Sequence, residues 1–387
     1  MKALEFQRNE TRYVAAAVAS RLRPGSGARP SPLKMVERRP PEIPDEGWQR
    51  IQTLLTGICG SDLATVEGRS ARYFGPWVSF PFVLGHEVVG LDEKGNRVVI
   101  EPVLGHEARG FEPPFEGAAP GDGDDYRHIV CGHIKPGIQI GYCASTGGGW
   151  STEFVAHKSQ IRKVPKRLSD EAAVMIEPTA VGVHGAFKAQ VKEGDTVAVI
   201  GAGTMGLAAV AALRAYTAAG EIIVAAKYPE QKELAADLGA NTVVDPGEMM
   251  RAVRRSTNSF AIGDDLSGGA DVTIDAVGSG ATIDQAIGIT RPRGRVVLVG
   301  MPGTESVDLT ALWHRETELV GAYTYGTETL GDGSTERTFK LATDLVGKAK
   351  LDRLVSQTYP LERYDEALDH AVNAGRRGAI KICFDLR

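Results

Sequence analysis

The segment Thr196-Val-Ala-Val-Ile200 runs directly into Gly201-Ala-Gly203-Thr204-Met205-Gly206 and then into Leu-Ala-Ala-Val-Ala-Ala-Leu-Arg-Ala. The β-branched residues predict a strand, the glycines a tight turn, and the Ala/Leu run a helix. Gly201 allows the turn, Gly203 lets the backbone approach a pyrophosphate, and Gly206 lets helix and strand pack closely. Thr204 and Met205 open the helix, whose N-terminal N–H groups attract phosphate. The uncharged run Thr196 to Leu213 is nearly as long as the roughly 18 residues of a membrane span. Its three glycines and its change of composition favour strand, turn and helix instead, so no membrane partner is expected.

The same texture continues downstream. Glu221 to Ala226 reads as a second strand, followed by a helix with Pro229 in its first turn and Gly239 just past its end. Thr242 to Asp245, Val272 to Asp275 and Arg295 to Gly300 are further short β-rich runs. Strands alternating with helices predict a parallel, doubly wound α/β sheet over 191–325. Residues 1–190 are rich in Pro, Gly and β-branched residues with little helical periodicity. After 326 come two helical stretches and a last strand, Ile380 to Phe384. At about 150 residues per domain, 387 residues make two or three; the pattern selects two, the first (1–190 and 326–387) interrupted by the second.

Composition removes several function classes. Lys and Arg number 44 against 49 Asp and Glu, a net charge of −5, so no nucleic-acid partner is expected. Four scattered cysteines (Cys59, Cys131, Cys143, Cys383) do not make a disulfide framework and fit a reducing, cytoplasmic compartment. The first 25 residues interleave charge with apolar residues, and the apolar run Val14 to Ala19 is too short for a signal-peptide core.

The end of the second predicted strand bears on the choice of cofactor. An acidic residue there would bind the ribose 2′-hydroxyl of NAD, but the sequence is Ala225-Ala226-Lys227-Tyr228. A missing carboxylate removes repulsion against a 2′-phosphate and the ammonium adds attraction, so NADP is favoured over NAD. Lys227 as a plain solvated charge is the alternative.

Three further elements precede the fingerprint: Gly57-Ile-Cys59-Gly-Ser61-Asp62, Gly85-His86-Glu87-Val-Val-Gly90 and Ile176-Glu177-Pro178. In this order, with the Asp275-Ala-Val277-Gly-Ser279 and Arg295-Val-Val-Leu-Val299-Gly-Met301 turns, the chain resembles the zinc-dependent alcohol dehydrogenases of the medium-chain dehydrogenase/reductase superfamily, in the polyol- and sorbitol-dehydrogenase-like branch. The resemblance covers essentially the whole chain. It implies a GroES-like β-rich catalytic domain beside a Rossmann domain. It also implies a homodimer or homotetramer, and a small alcohol or carbonyl substrate that the sequence does not name. Within the same resemblance a zinc-free NADP(H) reductase and a non-catalytic NADP(H)-binding sensor are the alternatives.

Carried over residue by residue, the family implies Cys59 as thiolate and His86 as imidazole ligand of one catalytic Zn2+, with Glu177 at the third-ligand position. Glu87 is the second carboxylate, either supporting the site or able to swing onto the metal. Three protein ligands with an open position suit catalytic zinc. Ser61 matches the hydroxyl that touches the substrate oxygen, and Asp62 a carboxylate that orients the imidazole. Many relatives place a His three residues after this Ser; here it is Ala64, so the onward proton path is unassigned. Val277, Val299 and Met301 would face the nicotinamide, and Lys381 would lie on the cofactor pyrophosphate. Tyr73, Phe74 and Trp77 lie where a substrate pocket is often lined. His106, in a second Gly-His-Glu, is expected on a loop. The four cysteines that hold a structural zinc in many relatives fall on Glu112, Phe115, Ala118 and Tyr126. That lobe is expected to pack apolar and aromatic side chains where others hold metal. A site built from His128, Cys131, His133 and Cys143 matches no standard zinc spacing.

Overall fold

The computed structural model describes residues 1–70 and 75–387. Tyr73 and Phe74 lie outside the described residues. The chain divides into two compact units, Met1–Glu177 with Lys350–Arg387, and Pro178–Ala349.

The second unit is built on a six-stranded parallel sheet. Its spatial order is Thr242–Val244, Glu221–Ala225, Thr196–Ile200, Ala270–Asp275, Thr290–Leu298 and Glu318–Gly321. In chain order this is 3-2-1-4-5-6, the Rossmann arrangement, whose order reverses beside the first strand. The sequence reading placed the early strands and the helices Thr204–Tyr216 and Pro229–Asp237 within a residue or two of these limits. Strands buried on both faces read as continuous apolar runs, and Val197 to Val199 and Ile222 to Val224 are fully buried.

The first unit carries a seven-stranded, mainly antiparallel sheet. Along it run Val355–Pro360, Lys381–Asp385, Trp48–Gly57, Val88–Leu91, Arg97–Ile100 and Ile161–Lys163, with Glu153–His157 also paired to Trp48–Gly57. The last strand returns to this sheet, pairing Cys383 with Gly57 and Phe384 with Thr56. Ile51, Val88, Val98, Ile100, Phe154 and Ile140 form a core on the sheet. A second core gathers Phe6, Phe82, Tyr142, Trp150 and Phe384.

Two expectations change. Residues 178–190 and 326–349, expected in the first domain, belong to the second unit. The helix ending at Lys188 packs its Gly182 on Ala208 of the fingerprint helix, and Tyr216 donates to the Leu341 carbonyl. The first stretch is also less uniformly β-rich than its Pro and Gly content suggested. The connection between the paired strands Lys2–Phe6 and Leu33–Glu37 contains a 13-residue helix, Glu10–Leu22, capped by Asn9. Its single fully buried side chain is Ala16, and so small a buried face leaves little periodicity to detect.

Candidate functional site

In the first unit, the strand Trp48–Gly57 ends at Gly57, and the helix Gly60–Val66 starts just after Cys59. Asp62, in the first turn, accepts the Cys59 backbone N–H on Oδ2 at 3.0 Å, which closes the turn. His86 and Glu87 lie just before the strand Val88–Leu91, paired to the same Trp48–Gly57 strand. The register brings Cys59, His86 and Glu87 together, with one ligand atom of each within 4.8 Å of the others.

Charge is handled pairwise beneath this cluster. His86 Nδ1 stands 3.4 Å from Asp62 Oδ1, both side chains buried. Burial alone would lower the imidazole's pKa; the Asp62 carboxylate and the Cys59 sulfur more than offset it and raise it well above the usual histidine value. Glu87 is fully buried. One of its oxygens forms an ion pair with the Lys381 ammonium, which also donates to the Ile58 carbonyl at 3.1 Å. Burial pulls the Lys381 pKa down, and Glu87 with Cys59 pushes it up further. A Cβ at residue 57 would sit 1.8 Å from Glu87 Oε2 and 2.8 Å from Lys381 Cε, so Gly57 makes room for the pair.

The donor set fits a divalent cation. A thiol, an imidazole and a carboxylate converge, and Glu87 Oε1 is buried with no hydrogen-bond partner among the described residues. A buried carboxylate oxygen without a partner is costly, and thiolate, imidazole and carboxylate together suit zinc. Glu177, the expected third ligand, is buried in the first turn of the helix Ile176–Lys188 but is not part of this cluster. Lys381, expected on the cofactor pyrophosphate, is instead interior and committed to Glu87, because the buried carboxylate needs a countercharge.

The lobe between 105 and 143 meets the expectation of apolar packing in part: Ala118, Ile129 and Ile134 are buried, whereas Phe115 and Tyr126, also aligned with structural-zinc positions, are about half exposed. Its centre is Arg109, 1% exposed. The guanidinium donates to the carbonyls of Leu104, Cys131, Ile134, Lys135 and Gly137 at 2.7–3.3 Å. Burial lowers its pKa to about 10, which leaves it charged at neutral pH. One cation thus gathers the loops. His133 pairs with Asp45, Cys143 is buried and donates to the Lys135 carbonyl, and Cys131 is exposed. His106 packs against His128 with ring centroids 4.2 Å apart. Sequence reasoning passed over Arg109 because an arginine in a Gly-rich loop reads as solvated; no local spacing marks it.

In the second unit the glycine-rich segment is a tight turn opening a helix. Gly201 has φ 93°, and a Cβ on Gly206 would lie 1.9 Å from the Gly201 carbonyl oxygen. Gly203 precedes the helix Thr204–Tyr216 with no side chain over the first N–H groups. Val277 lies against Gly201, and Gly300 packs its backbone on Val277 and Gly278. Asp275 fixes that turn by accepting from the Val277 and Gly278 N–H groups. Val277 and Met301 keep apolar surface exposed, whereas Val299 is buried. At the end of the second strand Ala225 and Ala226 are buried, and exposed Lys227 holds its ammonium 5.8 Å from the Tyr228 ring centroid. Trp77 is half-buried against the core of the first unit.

Residues 45–166 match the alcohol dehydrogenase GroES-like domain family, and residues 204–343 the zinc-binding dehydrogenase family. A probable D-xylulose reductase A from Arthroderma otae is 31% identical over 360 residues, covering 89% of this chain and 92% of the relative. Sorbitol dehydrogenase from Bacillus subtilis is 28% identical over 339 residues, covering 83% and 86%. The solved 2R,3R-butanediol dehydrogenase from Bacillus subtilis superposes with a TM-score of 0.69 at 23% identity, over 92% of this chain and 96% of that one.

Proposed function

Because this chain belongs to the zinc-dependent medium-chain dehydrogenase/reductase family, in its polyol dehydrogenase branch, we propose that it interconverts a polyol or other secondary alcohol with its ketone, using NADP(H) and one zinc ion. The observation that carries this reading is the convergence of Cys59, His86 and Glu87, with one buried Glu87 oxygen that finds no hydrogen-bond partner among the described residues. Sorbitol and xylulose in the names of the relatives give the substrate class to try first.

Cys59, His86 and Glu87 would hold the metal, with Asp62 orienting the imidazole and Lys381 balancing the second Glu87 oxygen. When bound, zinc supplies Lewis-acid polarisation of the substrate oxygen, and the nicotinamide supplies the hydride chemistry. Ser61 would relay the proton of the substrate hydroxyl during oxidation, accepting it while passing its own hydrogen onward, and the reverse during reduction. Gly201, Gly203 and Gly206 bare the helix N-terminus for the pyrophosphate. Lys227, with no carboxylate beside it, would attract the 2′-phosphate of NADP, and Tyr228 braces the ammonium.

One experiment tests the reading. Purified protein is assayed for bound metal and for absorbance change with sorbitol, xylitol and 2,3-butanediol under NADP+ and NAD+, beside Cys59→Ala. The expectation is about one zinc per chain and turnover faster with NADP+, both lost in Cys59→Ala. Zinc below about half an equivalent, or full activity in Cys59→Ala, overturns the metal assignment. A preference for NAD+ overturns the role given to Lys227.

A further inference from the structure

The six-stranded sheet reverses its order at the strand Thr196–Ile200, which has Glu221–Ala225 on one side and Ala270–Asp275 on the other. A ligand at such a reversal lies across the carboxyl ends of the strands on both sides. The two sides are furnished differently. The helix Thr204–Tyr216 opens with no side chain over its first N–H groups, which suits phosphate, and Lys227 adds positive charge past the end of Glu221–Ala225. Past Ala270–Asp275 the next helix, Gly280–Ile289, is closed from within. Ser279 Oγ accepts the Thr282 N–H at 3.3 Å, Thr282 Oγ1 the Ser279 N–H at 3.0 Å, and Glu305 Oε2 the Gly280 N–H at 2.9 Å. That leaves little there for a phosphate. Exposed Val277 and Met301 make this wall apolar, a surface for the flat ring at the other end of the cofactor.

Asp275 holds that wall in place. It ends its strand paired with Ile200, the residue before Gly201, and its side chain is fully buried. Oδ1 accepts the Val277 N–H at 2.8 Å and the Gly278 N–H at 3.1 Å, and Oδ2 lies 2.9 Å from Thr282 Oγ1. Its backbone carbonyl accepts the Val299 and Gly300 N–H groups, each at 2.9 Å. One residue therefore ties down both turns, the one with Val277 and the one leading to Met301. The fit against the fingerprint is close: a Cβ on Gly201 would lie 2.6 Å from Val277 Cγ2, and one on Gly300 2.4 Å from the Val277 carbonyl carbon. We propose that Asp275 is the positioning residue for the nicotinamide half of the cofactor: it sets Val277 against Gly201 with the 299–301 turn beside it, and takes no part in holding the adenosine half.

The proposal rests on the dehydrogenase reading, and its test separates the two. Asp275→Ala, Asp275→Asn and Gly300→Ala are titrated beside wild type, with NADPH and NADH by fluorescence and with the adenosine halves, 2′,5′-ADP and ADP, by calorimetry. Tm is followed alongside. Asp275→Ala should raise the Kd of the preferred reduced cofactor about tenfold, the scale of one net hydrogen bond lost, and leave the Kd of its adenosine half unchanged. Asp275→Asn keeps an oxygen for both N–H groups and should stay within about threefold of wild type. Gly300→Ala displaces the same turn with Asp275 intact and should give the same selective loss, so the outcome does not hang on Asp275→Ala folding well. Equal loss of whole cofactor and adenosine half, unchanged affinity in Asp275→Ala and Gly300→Ala, or an Asp275→Asn variant as weak as Asp275→Ala overturns the proposal and leaves the dehydrogenase reading standing. Wild type that binds neither reduced cofactor overturns that reading, and the proposal falls with it.

Discussion

Glu87 and Lys381 show how much a single buried contact decides. The carboxylate is interior, and its countercharge arrives from the last strand of the chain, far away in sequence. Removing one partner of a buried pair leaves an uncompensated charge and costs about 3–5 kcal/mol. Lys381→Met should therefore lower the stability of the metal-free protein by that order. Added zinc should recover more stability in the variant than in wild type, because the freed Glu87 oxygen gains a cation. Denaturant melts in chelator and in zinc check this, and equal zinc gains in the two proteins would refute it. His128 offers a second residue-level test. Burial, then the neighbouring His106, lowers its pKa to about 4, while its Nδ1 contacts the Asp125 carbonyl. The unfolded chain takes up the proton near pH 6.5 and the folded one only near 4. Its contribution is therefore present above about 6.5 and lost as pH falls toward 4. His128→Phe should flatten the stability profile across that interval, measured by melts at pH 7 and 4.5; an unchanged slope would exclude His128 as its source.

Elements were legible in proportion to how local their causes are. The fingerprint strand and helix were plain in the sequence because glycine spacing and apolar runs act within a dozen residues. A side chain at 206 would collide with the Gly201 carbonyl, so Gly206→Ala should abolish cofactor binding, read by NADPH fluorescence titration, with a modest drop in Tm. Retained affinity would show that the turn relaxes. The Cys59 and His86 positions were readable from ordered motifs, but which carboxylate joins them was not. Glu177 and Glu87 both fit the sequence, and strand register, a long-range property, brings Glu87 to the cluster. The helix Glu10–Leu22 stayed hidden because it buries so little.

For the molecule as a whole, Arg109 is the residue on which the lobe between 105 and 143 depends. Its five carbonyl acceptors come from two stretches of backbone, Leu104 and residues 131–137. Arg109→Leu would strand them without a donor and should destabilise the first unit by about 3–5 kcal/mol. Chelator should leave the wild-type lobe folded while stripping any metal from the proposed site at Cys59. Loss of the lobe's hydrogen-exchange protection in chelator would contradict this. A clasp written into the chain is present from the moment of synthesis and cannot be withdrawn by scarcity. On the proposed zinc-dependent reading, metal starvation would leave the protein folded but idle until the ion returns.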